Sequence, residues 1–122
     1  MPRGRVPTVV RARVLRTGET LGDRIERAES LRARTVGLLG RRSLPRGSGL
    51  WLEPCSSVHT FFMSFEIDVV FLDVDGRVLR VFVRLAPWRI AVGGWSARSA
   101  VELPAGAAGA IAAGDRLEIT PV

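Results

Sequence analysis

The sequence predicts a mainly β (α+β) protein, a small antiparallel or mixed β-barrel-like domain with one or two short helices. Three observations favour this fold. Short segments of alternating or β-branched residues recur along the chain. Turn residues separate most of them, and few stretches could form the crossover helices that a doubly wound sheet needs. With 122 residues the chain is expected to form a single domain, flexible only at residues 1–7.

The first half of the chain contains strand-like segments around one helical pattern. Residues 8–16 alternate valine and alanine with arginine, which is typical of a half-buried strand. We expect extended chain from Leu21 to Arg27 and a short helix from Glu29 to Leu39, where leucines recur at helical spacing. Residues 49–53 form a short predicted strand that Pro54 terminates.

Residues 67–84 predict a β-hairpin. Val69 to Leu72 form a continuous apolar run, as in a strand that is buried on both faces. Asp75-Gly76 is a strong turn signal, because glycine adopts a positive φ without steric cost. The segment that follows is again rich in β-branched residues.

The last third predicts a loop, a strand, a small helix and a closing strand. The loop runs from Leu85 to Trp95 and contains Trp88, and the strand covers Ala100 to Leu103. Pro104 to Ala113 is expected to form a helix of alanine and glycine that only packing could hold. Residues 116–120 alternate again and predict the final strand.

The candidate site lies between these halves, in the segment from Cys55 to Met63. If this segment is a regular strand, the period of two places Cys55, Ser57, His59, Phe61 and Met63 on one face. A thiol, a hydroxyl, an imidazole and a thioether together are unusual for a plain core. The pattern therefore indicates a functional surface or pocket.

A metal site is one interpretation of this face. Cysteine, histidine and methionine are ligands that suit copper. Residues four apart on a strand are separated by about 13 Å, however, and metal–ligand bonds are about 2 Å long. Cys55 and His59 could then share one ion only if the chain bends between them. We therefore predict no metal and no cofactor.

Catalysis and binding are the other interpretations. Cys55 could act as a nucleophile with His59 as its base and Asp68 orienting the imidazole, which requires a loop at residues 54–57 to bring thiol and imidazole into hydrogen-bond reach. Alternatively, Cys55 is a small buried residue and Met63 is core, with a polar pocket as the functional version.

The charge balance bounds the partners. The formal net charge is +6, and every basic residue is an arginine. Arginines attract nucleic acid, but here they are spread along the chain, which favours a solvated basic face. No apolar run could span a bilayer, no signal peptide is visible, and a single cysteine forms no internal disulfide. We expect a cytoplasmic protein without a membrane partner.

Several sequence blocks, in this order, closely resemble the DUF192 family. The blocks are RTVGLLGR at 34–41, GLWL at 49–52, PCSSVHTFFM at 54–63, IDVVFLD at 67–73, PWR at 87–89, ELPAG at 102–106 and GD at 114–115. The spacing before Asp68 departs from the commoner family form and is similar to a variant that carries a Cys-x-Ser-x-His-Thr segment. The resemblance implies a small β-barrel-like fold and no established activity.

The resemblance also implies which residues to suspect. Those at family motif positions are Cys55, Ser57, His59, Thr60, Met63 and Asp68. Asp68 is notable on physical grounds as well, because a buried carboxylate must be paired or hydrogen-bonded. Arg34, Arg98 or His59 could supply that partner.

We therefore interpret the chain as a non-catalytic small-molecule or partner-binding domain with a polar pocket around residues 55–68. A hydrolase using Cys55 and His59 is the first alternative. A small barrel that binds nucleic acid through surface arginines is the second. It is not favoured, because the phenylalanines that could stack on bases lie in apolar runs and are expected to be buried.

Overall fold

A computed structural model describes residues 8–28 and 42–122, and over these residues the protein is mainly β, as predicted. The described strands are β1 (Val9–Val14), β2 (Thr20–Ala28), β3 (Ser48–Leu52), β4 (Ser57–His59), β5 (Ile67–Leu72), β6 (Val78–Leu85), β7 (Ile90–Val92), β8 (Ser99–Pro104) and β9 (Leu117–Pro121). The described part of the chain contains no helix that is long and apolar enough to cross a membrane.

Seven strands form one mixed sheet in the order β6-β5-β8-β3-β2-β1-β9. β2 and β3 are parallel, and the other neighbouring pairs are antiparallel. The sheet curls until its two outer strands meet, where Arg77 bridges Arg116 and the Val78 N–H donates to the Asp115 carbonyl at 2.7 Å. This curled half-barrel confirms the predicted fold class, and we call it the body.

β4 and β7 pair with each other in a separate two-stranded antiparallel sheet. Ser57 lies opposite Val92, and His59 lies opposite Ile90. The side chains of the middle pair, Val58 and Ala91, point inward and are buried. This small sheet covers one face of the body, so it adds a second layer to the domain.

β5 lies at the boundary between the two hydrophobic cores. All six of its residues are buried. Val70 and Leu72 belong to the core inside the curl of the body, whereas Ile67, Val69 and Phe71 belong to the core beneath the small sheet. The prediction of a strand buried on both faces is confirmed, and the reason is that each face has its own covering layer.

The β5–β6 hairpin is also confirmed. The Asp73 carboxylate accepts the N–H groups of Asp75 at 2.8 Å and Arg77 at 2.9 Å, and Gly76 has a φ of 82°. The bond from the Arg77 N–H is the main cause that lowers the pKa of Asp73. The turn is thus stabilised by its own side chain as well as by glycine.

Two predicted helices have different outcomes. The segment from Glu29 to Leu39 lies outside the described residues, as do residues 1–7. The predicted helix from Pro104 to Ala113 is wrong, since the chain forms successive tight turns there, such as the Ala107 N–H donating to the Pro104 carbonyl at 3.0 Å. Gly106 has a φ of 90°, which an α-helix does not permit.

The remaining boundaries need one correction. The segment predicted as a loop from Leu85 to Trp95 contains β7, which completes the small sheet. A three-residue strand leaves too short an alternation to be recognised in a sequence.

Candidate functional site

The segment from Cys55 to Met63 is not one regular strand. Only Ser57–His59 pair as β4, and Cys55 and Met63 are buried in the core beneath the small sheet. Ser57 and His59 point outward and are exposed. The predicted common face is therefore wrong. Cys55 lies in a bend before β4, and after Thr60 the chain turns back, with the Met63 N–H donating to the Thr60 carbonyl at 3.2 Å.

Cys55 and His59, the predicted catalytic pair, are both engaged with backbone groups. The Cys55 thiol donates to the Ser57 carbonyl at 3.1 Å. The imidazole Nδ1 of His59 accepts the Phe61 N–H at 3.3 Å. Burial of the thiol and exposure of the imidazole favour a structural role for Cys55 and a surface role for His59. Within residues 8–28 and 42–122, no group of three or more His, Cys, Asp or Glu side chains could hold a metal ion.

Thr60 is completely buried and joins two loops. Its hydroxyl donates to the Ala86 carbonyl at 2.6 Å and accepts the Arg89 N–H at 2.9 Å. Its backbone N–H donates to the Arg89 carbonyl at 2.9 Å, and its carbonyl accepts the Trp88 N–H at 3.0 Å. Thr60 therefore fixes the loop before β7 against the loop after β4.

Asp68 is also completely buried, but it belongs to the body. Its Oδ1 accepts the N–H groups of Arg84 and Gly106, both at 2.8 Å, and its Oδ2 accepts the Ala108 N–H at 2.7 Å. The sequence correctly requires a partner for this carboxylate, but backbone amides fill that role instead of Arg98 or His59. Arg34 lies outside the described residues. Asp68 thus connects β5, β6 and the turns after β8.

Large apolar side chains lie on the outside of the small sheet and the loops beside it. Phe62 is 73% exposed and Trp88 is 55% exposed, and the side chain of Trp95 is fully exposed. Ile90 and Val92, on the outer face of β7, are also exposed. We call the surface formed by Phe61, Phe62, Trp88, Ile90, Val92 and Trp95 the aromatic strip. Patches of this kind on a domain surface commonly mark interaction sites.

The rings at one end of the strip form a continuous series. The His59 ring stacks on Phe61 with centroids 4.9 Å apart, and Phe61 stacks on Trp88 at 5.8 Å, each with an interplanar angle of 28°. The Phe62 ring contacts Trp88 at 4.6 Å in a tilted arrangement. Thr60 holds this series in place, because it binds the backbone on both sides.

Arginines and no carboxylates accompany the aromatic strip in the sequence. Residues 54–65 and 76–101, which include both strands of the small sheet, contain no Asp or Glu. The Arg80 guanidinium donates to the Val92 carbonyl at 2.9 Å, next to the Trp95 end of the strip. Arg89 is exposed and directly follows Trp88 at the other end. The strip is thus bordered by positive charge.

Sequence reasoning missed the aromatic strip because it treated the phenylalanines as core. Phe61 and Phe62 follow β4 rather than continue it, so the apolar run does not stay in the sheet. The lack of Asp and Glu between residues 76 and 101 is a feature of the sequence that could have indicated this surface.

A groove of about 770 Å³ opens elsewhere, between the start of β2 and the turns after β8. Arg46 and Arg84 line it together with Asp23 and Glu19. None of the six site residues expected from the sequence lines this groove.

Comparison with known proteins assigns the chain to a family. The family model DUF192, described as "Uncharacterized ACR", matches residues 13–119. The chain belongs to the DUF192 family. A UPF0127 protein of Pyrococcus horikoshii is 38% identical over 84 residues, which cover 65% of this chain and 70% of that protein.

Solved structures are similar to this DUF192 domain in fold. A candidate transcription regulator from Sinorhizobium meliloti 1021 has a TM-score of 0.79 at 22% identity, over 97% of both chains. A protein of unknown function from Novosphingobium aromaticivorans DSM 12444 has a TM-score of 0.77 at 19% identity, over 94% of both chains. At these identities the similarity shows the fold alone.

Proposed function

We propose that this DUF192 domain is a non-catalytic binding domain that contacts a partner through the aromatic strip. The observation that carries the proposal is the exposure of Phe62, Trp88 and Trp95, because every other Phe or Trp side chain of the described residues is buried or partly buried. Aromatic side chains supply large contact area with few rotatable bonds and are enriched at binding surfaces. The proposed binding surface is therefore an exposed face that includes Phe61 and Phe62 of the 55–68 segment, rather than a closed pocket.

Backbone conformation supports the same surface. Phe62 has a φ of 66° and Trp88 a φ of 65°, both in the left-handed region. A bulky side chain there costs about 1–2 kcal/mol, and such positions usually carry Gly or Asn. Retaining two exposed aromatic residues in strained positions offers little to folding, which is consistent with a role in binding.

The six residues suspected from the sequence divide into supporting and contacting groups under this proposal. Cys55 and Met63 support the small sheet from beneath, and Thr60 positions the loops. Ser57 and His59 face the partner as polar groups within an apolar surface. Asp68 contributes only through the stability of the body.

The tryptophans allow a direct test, because each indole N–H gives one signal in a ¹⁵N-labelled sample. Trp88 and Trp95 belong to the strip, whereas Trp51 packs against the core of the body with the Arg27 guanidinium 5.2 Å from its ring centroid, and serves as the internal reference. The ligands to titrate are nucleosides, single-stranded oligonucleotides, acidic peptides and anionic vesicles. Trp88→Phe and Trp95→Phe assign the signals.

We expect at least one of these ligands to shift or broaden the Trp88 and Trp95 signals and to leave Trp51 unchanged. The variant Phe62→Ala should weaken that response, and Val74→Ser, at an equally exposed position in the hairpin turn, should not. Unchanged strip signals with every ligand would contradict the proposal. A ligand that shifts Trp51 alone would place binding on the body instead.

A further inference from the structure

We infer that the partner of the aromatic strip is single-stranded nucleic acid, an inference that rests on the proposed function and names its ligand. Proteins that bind single strands combine aromatic side chains, on which bases stack, with positive charge that follows the phosphates. Both features occur together at the aromatic strip, on the loops beside the small sheet and at the neighbouring Arg80 of β6.

Charge is the first argument. The segments that build the strip, residues 54–65 and 76–101, contain five arginines and no carboxylate, and one of the five, Arg84, pairs with Glu66 at 3.8 Å. Arg80 lies at the Trp95 end, because it donates to the Val92 carbonyl, and Arg89 lies at the Trp88 end. An extended anion that crosses the strip would therefore meet a guanidinium at each end. Arginine suits phosphate because its planar fork donates two parallel hydrogen bonds.

Ring geometry is the second argument. The stack of His59, Phe61 and Trp88 is already a series of stacked rings, each inclined by 28° to the next. His59 is exposed at one end of this stack, so a base can extend the series there. Trp95 offers a separate exposed ring beyond the outer face of β7. The phenylalanine side chains that the sequence placed in the core are thus available to bases at Phe62 and, in part, at Phe61.

Preorganisation is the third argument. Thr60 uses its hydroxyl, N–H and carbonyl to hold both aromatic loops, so the rings need little ordering when a base arrives. An acidic peptide would use the arginines but would have no need for stacked rings. A lipid surface would accept the apolar tips, but Ser57 and His59 place polar groups in the middle of the contact face.

Fluorescence anisotropy with labelled oligo(dT) and oligo(rU) of about 12 nucleotides tests the inference, because such lengths match the sites of other small barrels. We expect saturable binding that weakens as salt rises. A duplex of the same length should bind more weakly, because its bases are already stacked. Phe62→Ala/Trp95→Ala should weaken single-strand binding roughly 5- to 100-fold per ring that stacks a base.

Variants that remove one arginine distinguish phosphate contacts made at the strip from nonspecific attraction to the basic surface as a whole. Arg89→Gln should reduce the slope of log K against log salt by about 0.7, the value for one phosphate contact on a single strand. Arg11→Gln on β1, an exposed arginine of the body, is the control and should leave the slope nearly unchanged. Urea unfolding of each variant confirms that the fold is retained.

The outcomes separate this inference from the proposed function. Absence of oligonucleotide binding, together with strip indole shifts caused by acidic peptides or anionic vesicles, would overturn the inference and leave the binding function in place. Oligonucleotide binding that is equal for Arg89→Gln and Arg11→Gln, and unaffected by Phe62→Ala/Trp95→Ala, would also overturn it. Unchanged strip indoles with all ligands would overturn both.

Discussion

The body and the small sheet treat apolar side chains in opposite ways. In the body, β5 buries all six of its residues between two cores. In the small sheet, only the middle residue of each strand is buried, while Ile90, Val92 and the neighbouring aromatic side chains face outward. The body buries its apolar side chains, as the stability of a fold requires. The small sheet exposes several of them, and the stability of the fold does not explain that exposure.

Both regions nevertheless use the same device to hold irregular backbone. In each region a buried polar side chain forms hydrogen bonds with backbone groups that lack a partner in a sheet. Asp68 has this role in the body, and Thr60 has it beside the small sheet. Each device includes a residue with positive φ, Arg84 at 55° and Trp88 at 65°. The two regions differ in the side chains that these loops carry. The turns held by Asp68 add side chains to the core, whereas the loops held by Thr60 carry exposed aromatic rings.

The largest effect should come from removing the anchor of the body. Asp68→Ala removes the acceptor of the Arg84, Gly106 and Ala108 N–H groups from a completely buried position, so we expect a loss of about 3–5 kcal/mol in the free energy of unfolding. Urea unfolding measures it. Asp68→Asn retains one acceptor oxygen and should lose less. Asp75→Ala, at an exposed position in the hairpin turn, is the control. A loss below about 1 kcal/mol for Asp68→Ala would show that the body does not depend on this carboxylate.

Removing the anchor of the small sheet should have an intermediate effect. Thr60→Val keeps the shape but leaves the Ala86 carbonyl and the Arg89 N–H without their hydroxyl partner, at a cost of about 1–3 kcal/mol. Thr60→Ser keeps the hydroxyl and should cost less. Indole NMR should show the Trp88 signal shifted in Thr60→Val. An unshifted Trp88 signal would mean that Thr60 does not position the rings.

Acid should weaken the body at the point where its outer strands meet. The side-chain hydrogen bond from Arg16 is the main cause that lowers the pKa of Asp115 from 3.8 to about 2, followed by the Ala112 N–H. The folded pKa is depressed, so this contribution is present above about pH 4 and is lost as the pH falls toward 2. Stability measured over that range should depend less on pH in Asp115→Asn. An identical pH dependence in the variant and the wild type would contradict the assignment.

The smallest effect concerns the strain in the strip. Phe62→Gly relieves the positive φ but makes the unfolded chain more flexible, so the two effects nearly cancel, within about 1 kcal/mol. Val74→Gly, at a position with similar exposure and no positive φ, gains nothing to offset the flexibility. We expect Phe62→Gly to be the more stable of the two in urea unfolding. The reverse order would mean that the Phe62 ring stabilises the fold.

The sequence predicted the body well because its signals there are physical constraints on a core. The Asp75-Gly76 turn, the apolar run of β5 and the need of Asp68 for partners all have direct structural counterparts. The family resemblance drew attention to the 55–68 segment, and its blocks at 54–63 and 87–89 include residues of both aromatic loops. These predictions succeeded where alternation, turn chemistry and burial act together.

The small sheet could not be predicted from such signals. Its strands have three residues each and pair across a distance of about 30 residues, so no local pattern reveals them. Period two placed Cys55 and His59 on one face, but Cys55 lies in the bend before β4, where it is buried, whereas His59 is exposed on β4. The prediction of a helix from Pro104 to Ala113 was wrong because the N–H groups of Gly106 and Ala108 donate to the Asp68 carboxylate.

One measurement tests most directly whether the strip is kept for binding rather than folding: the free energy of unfolding of Phe62→Ala/Trp95→Ala. We expect a value within about 1 kcal/mol of the wild type, because both side chains are exposed. Phe71→Ala, which truncates a buried ring of β5, should cost about 3–5 kcal/mol in the same assay. A loss in the double variant as large as that of Phe71→Ala would contradict the account, since the exposed rings would then stabilise the fold.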